Sequence, residues 1–83
     1  MERIYRTSSI PAAAFAVARG AELPRVEPTA DPQRFQLSFV DRDGDVTRTI
    51  ADYFGGGSVP ARDFYRALQD IRYSVNRAKG GAQ

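Results

Sequence analysis

Phe35, Leu37 and Phe39 alternate with Gln36, Ser38 and Val40, a period of two that predicts a strand with its Phe face buried. Upstream, residues 22–27 read as a second strand with Leu23 and Val26 as its apolar positions. Pro24 cannot donate to a ladder, so this strand belongs at a sheet edge. Residues 28–32, rich in Pro and Asp, supply a turn, and the two strands are expected to pair as an antiparallel hairpin. Residues 4–7 read as a short strand or an extended N-terminal arm.

Helical signals occupy the rest. Ser8 and Ser9 offer N-cap hydroxyls, Pro11 suits a first turn, and Gly20 suits a C-terminal stop, which predicts a helix over residues 10–19. It is rich in Ala and apolar nearly all round, so it is either buried in its own domain or pressed against a second copy of the chain. After a turn over residues 41–45, Asp45 or Thr47 is the expected cap of a second helix. Val46, Ile50, Tyr53 and Phe54 share one face of it, and Gly55, Gly56 and Gly57 stop it. Pro60 then sits in the first turn of a last helix, expected to run to residue 78 with Ala61, Phe64, Leu68, Ile71, Val75 and Ala78 as its buried stripe. Gly80 and Gly81 suggest a frayed tail.

These elements predict one α+β domain over residues 1–83, ordered from about residue 3 to 78. An N-terminal arm or short strand, an Ala-rich helix and an antiparallel β-hairpin are followed by two C-terminal helices packed on one face. The expected core is Phe15, Leu23, Val26, Phe35, Leu37, Phe39, Ile50, Phe54, Phe64, Leu68, Ile71 and Val75.

Composition narrows the chemistry. The 83 residues contain no histidine and no cysteine. The commonest general base near neutral pH, thiol chemistry and most zinc, copper and iron–sulfur sites are therefore excluded. Carboxylates alone rarely make an enzyme in a chain this short, so a non-enzymatic binding protein with no cofactor is expected. Eleven of the twelve basic residues are Arg, and the net charge is +2. Arg presents a planar fork of donors suited to phosphate, although an Arg-, Ala- and Gly-rich genome composition gives the same counts. The longest apolar stretch, residues 10–18, is half the length a bilayer requires, and a cytoplasmic protein is expected.

Two constellations are candidate sites. At 100° per residue, Arg62, Arg66, Gln69, Tyr73, Asn76 and Arg77 fall within an arc of about 100° on the last helix, with Arg72 beside it. Guanidinium groups, amides and a phenol on one exposed arc suit a phosphate backbone and a stacked base. A merely solvated face, with Asp63 and Asp70 neutralising Arg66, would look similar. The second candidate is an anion loop at Gly56, Gly57 and Ser58, before a helix N-terminus and near Arg62; a plain connector is the simpler reading, and no P-loop pattern follows. Asp41, Asp43 and Asp45 resemble the start of a calcium loop. Val46 and Asp52 stand where that loop needs Gly and Glu, so no metal is expected.

Several of these residues recur together elsewhere. Tyr5-x-Thr7, an Ala-rich helix ending in Gly20, Phe35-x-Leu37-x-Phe39, Tyr53-Phe54-x-Gly56 and Val59-x-Ala61-Arg62 with Phe64 and Ala67-Leu68 span residues 5–75. In this the chain resembles a family of short, uncharacterised domains encoded by bacteriophages, prophages and bacteria. The family's lysine seven residues after the last helix's phenylalanine is here replaced by Ile71-Arg72. The resemblance implies a small accessory protein of a mobile element, acting in the host cytoplasm. Such a protein is expected to bind nucleic acid, a nucleotide or a nucleotide messenger, or else to act as an interaction module that inhibits a host defence or replication protein. For that second role the contact surfaces would be residues 22–27 and the Ala-rich helix.

Overall fold

The computed structural model describes residues 3–31 and 33–80. Strand β1 (Arg3–Thr7) leads into helix α1 (Ile10–Ala18), followed by strands β2 (Arg25–Pro28) and β3 (Phe35–Asp41). A single 3₁₀ turn over Arg42–Gly44 precedes helix α2 (Asp45–Phe54), and helix α3 (Ala61–Gly80) completes the order. The fold is α+β: a three-stranded antiparallel sheet in the order β1-β3-β2 with three helices. The N-terminal segment is a true strand. Tyr5 pairs with Phe39 and Thr7 with Leu37, so β3 is central. β2 lies at an edge, starting at Arg25 and ending at Pro28, three residues later than the start expected from composition. Pro24 has no N–H for the ladder, and pairing begins immediately after it.

Alternation on β3 separates its two faces. Leu37, Phe39 and Asp41 are buried, while Val40 is exposed. α1 packs against both α2 and α3 and touches β1. Its Ala12, Ala13, Ala14 and Ala16 have no exposed surface at all. The small side chains thus serve close packing inside the domain. Ser9 Oγ accepts the Ala12 N–H at 3.2 Å to begin the helix. Gly20, at φ +110°, ends it: Ala21 N–H reaches Ala16 O at 3.1 Å and Gly20 N–H reaches Val17 O at 2.9 Å. This double closure needs the left-handed conformation that glycine adopts without a Cβ penalty.

Leu37, Ile50 and Ile71 are the largest fully buried side chains, joined by Phe15, Phe39, Val46, Ala67 and Val75. Val26, Phe35, Phe64 and Leu68 are half-buried against this core. Two expected core residues lie outside it. Leu23, 52% exposed, sits in the unpaired stretch before Pro24. Phe54, 72% exposed, is the last residue of α2, where its ring meets the edge of Tyr53 at 5.1 Å. The ends of the α3 stripe also differ from expectation, for Ala61 and Ala78 are exposed while Ala67 is buried. Length explains this. Nine residues of α1 span about 14 Å and twenty of α3 about 30 Å, so α1 covers only the middle of its partner. α3 itself continues to Gly80; the remainder of the expected frayed tail, from Gly81, lies outside the described residues.

The cap of α2 comes from neither Asp45 nor Thr47. Asp41, 3% exposed at the end of β3, reaches across the 3₁₀ turn. Its Oδ1 accepts the Val46 N–H at 2.8 Å and its Oδ2 accepts the Thr47 hydroxyl. The Thr47 hydroxyl is the main reason its carboxyl is held below the usual range. Burial opposes this, while backbone N–H groups and the Arg48 charge assist. Asp43 at φ +58° and Gly44 at φ +76° turn the chain back so that this reach is possible.

Candidate functional site

α3 presents one face to the core through Ala67, Ile71 and Val75, all buried. The opposite face is therefore turned to solvent along the length of the helix. Arg62, Arg66, Gln69, Arg72, Tyr73, Asn76 and Arg77 are all exposed. Tyr73 leaves 64% of its surface in solvent, with the Arg77 guanidinium 5.8 Å from its ring centroid. Tyr65 is 61% exposed and joins the same face. Gln69 Nε2 donates to the Tyr65 hydroxyl at 2.7 Å, tying successive helical turns together. Tyr65, Gln69, Tyr73 and Arg77 recur every four residues, a spacing present in the sequence but with Tyr65 just outside the 100° arc.

Charge pairing divides the arginines. Arg6 meets Glu27 at 3.4 Å, Arg19 meets Asp52 at 2.9 Å, Arg34 meets Asp31 at 3.5 Å, and Arg48 meets Asp45. Among the described residues, no ion pair involves Arg62, Arg66, Arg72 or Arg77. Asp63 and Asp70, the expected neutralisers of Arg66, stand beside it around a shallow depression of about 200 Å³ against α1, without closing to ion-pair distance. The α3 face therefore carries four guanidinium groups without an ion-pair partner among the described residues. It is an open helical surface with no enclosing wall, suited to an extended ligand more than to a small one, which binds in concave sites.

The three-glycine segment has a local explanation. Gly56 at φ +91° ends α2, with Gly57 N–H on Asp52 O at 2.8 Å and Gly56 N–H on Tyr53 O at 3.2 Å. A Cβ on Gly57 would stand 2.5 Å from Asp52 Oδ2. A carboxylate thus fills the space beside the candidate anion loop of Gly56, Gly57 and Ser58. Arg19 neutralises that carboxylate and also donates to Ser58 O at 2.9 Å. The loop is a helix stop latched to the end of α1. Asp41 faces the core rather than its neighbours Asp43 and Asp45, and no group of three or more metal-ligating side chains occurs among the described residues.

No protein-family model matches the chain, and no curated protein or solved structure matches it. Among the described residues, no helix is long and apolar enough to cross a membrane.

Proposed function

We propose that this is a small, non-enzymatic nucleic-acid-binding protein whose contact surface is the outer face of α3. Arg62, Arg66, Arg72 and Arg77 hold phosphates, and Tyr65 and Tyr73 stack bases. The reading fits the accessory role implied by the resemblance to phage-encoded domains. One observation carries it: four exposed arginines with no acidic partner among the described residues surround two exposed tyrosines on a single helix face. Charge-assisted bonds to phosphate supply affinity, and a tyrosine face accepts any base. Gln69 and Asn76 lie on the same face and carry the paired donors and acceptors that read adenine edges. An open face accounts for a polymer better than for a lone nucleotide.

Fluorescence anisotropy with a labelled single strand and a labelled duplex tests this. Affinity should fall steeply between about 50 and 200 mM salt, because bound phosphates release counterions. Replacing Arg62 and Arg66 together by Ala should lower the log–log salt slope by roughly 0.7–0.9 for each phosphate that the variant no longer neutralises. Tyr73→Ala should weaken single-strand binding by about 1–3 kcal/mol. Salt-independent binding, or a double variant that binds like the parent, would refute the proposal. A nucleotide ligand would instead raise the melting temperature with one-to-one stoichiometry.

A further inference from the structure

The two tyrosines of the α3 face do not form one platform. Tyr65 and Tyr73 lie just over two helical turns apart, about 12 Å along the axis and about 80° around it. Both rings are exposed, and among the described residues neither meets another aromatic ring. Each is steadied from the next turn instead. Gln69 Nε2 holds the Tyr65 hydroxyl, and the Arg77 guanidinium lies over the Tyr73 ring. The arginines divide in the same way. Arg62 and Arg66 fall within four residues of Tyr65, and Arg72 and Arg77 within four residues of Tyr73. From Arg62 to Arg77 the run covers about 22 Å of helix axis. Against these cations the described part of α3 sets two carboxylates, Asp63 and Asp70, both on the flank beside α1.

Resting on the nucleic-acid reading of this face, we propose that its ligand is a single strand, crossing α3 with two non-adjacent bases laid on Tyr65 and Tyr73. Stacked bases follow one another every ~3.4 Å. Rings about 12 Å apart therefore cannot hold neighbours from one stack, and each takes a base of its own. A single strand can splay its bases in this way. In a duplex both faces of every base are covered, and a ring reaches one only after a step is unstacked. The groove edges of a duplex offer hydrogen-bonding groups, which the face of a phenol ring does not use. The arginine pair beside each tyrosine supplies charge-assisted bonds to the phosphates flanking the stacked base. At the ~3.4 Å rise of a stacked strand, the run of arginines spans about six nucleotides, and a more extended strand covers it with fewer.

The probes are a dodecathymidine strand, a duplex of equal length and an abasic sugar-phosphate strand of equal length, compared at one ionic strength. The chain has no tryptophan, so quenching of its tyrosine fluorescence reports stacking directly. The thymidine strand should bind at least about tenfold tighter than either other probe, and it alone should quench. Hexathymidine should bind nearly as tightly as the longer strand. Tyr65→Ala and Tyr73→Ala should each weaken strand binding by a similar factor, and Phe at either position should restore it. Both rings are exposed, so melting should stay at the parent value. A duplex or an abasic strand bound as tightly as the thymidine strand overturns the proposal, as does a Tyr65→Ala variant that binds like the parent. In each of those outcomes salt-dependent binding persists, so the broader nucleic-acid reading survives. Failure of all three probes to bind refutes both.

Discussion

Asp41 shows how one side chain joins two elements. It ends β3, is buried, and caps α2 through the Val46 N–H and the Thr47 hydroxyl. Removing the charge leaves two donors poorly satisfied inside the protein. Asp41→Asn should therefore cost about 1–3 kcal/mol at neutral pH, the usual range for a buried hydrogen-bonded carboxylate. The pH dependence follows from the direction of the shift. The folded-state pKa lies below the unfolded one, so the stabilising contribution is complete above the ordinary carboxylate range. It disappears as pH falls through the folded value, where the native carboxylate takes up its proton. Urea midpoints at neutral and strongly acidic pH check this: the gap between parent and variant should narrow on acidification. A constant gap would show that Asp41 acts through shape alone. Nothing in the local spacing marks this cap, because the carboxylate lies five residues before the N–H it satisfies, across a turn that needs positive φ at Asp43 and Gly44.

At the scale of elements, α1 and α3 meet through side chains small enough for close approach. Ala12, Ala13, Ala14 and Ala16 have no surface exposed and share the buried core with Ala67 of α3. A larger residue has nowhere to go. Ala14→Leu should destabilise by about 1–3 kcal/mol through overpacking, measured by chemical denaturation, although Leu is a good helix former. A neutral result would mean that the core around α1 yields readily. The periods of β3 and α3, the Ala-rich helix and its Gly20 stop are legible in the sequence because hydrophobic spacing and glycine chemistry are local. Leu23, Phe54, Ala61 and Ala78 fall outside the core that spacing predicts, because spacing identifies a face but not how far the covering element extends. For α3, the covering helix is under half as long. The α3 face is legible for the same local reason, and Tyr65 escapes because an arc centred on the arginines stops just short of it. An open groove of about 700 Å³ between residues 20–23 and residues 38–40 is not legible at all, since it arises from where β2 begins to pair.

For the molecule as a whole, Arg19 ties the ends of α1 and α2 to the segment leading into α3. Its guanidinium lies 4.6 Å from the Phe15 ring centroid, 2.9 Å from Asp52 and 2.9 Å from the Ser58 carbonyl oxygen. One side chain at the end of α1 thereby gathers the last turn of α2 and the segment leading into α3. The ion pair is half in solvent, so by itself it contributes little, on the order of 0–1 kcal/mol. The carbonyl bond and the stacked ring do not depend on Asp52. Arg19→Ala should then cost clearly more than Asp52→Asn, by about 1 kcal/mol. Arg19→Lys should fall near the Ala variant, because a point charge cannot stack on Phe15 while donating in two directions. Urea denaturation of the three variants orders them. If Asp52→Asn costs as much as Arg19→Ala, the ion pair is the whole joint. High salt should then reproduce the loss, and the carbonyl and ring contacts would be incidental to how α3 is held.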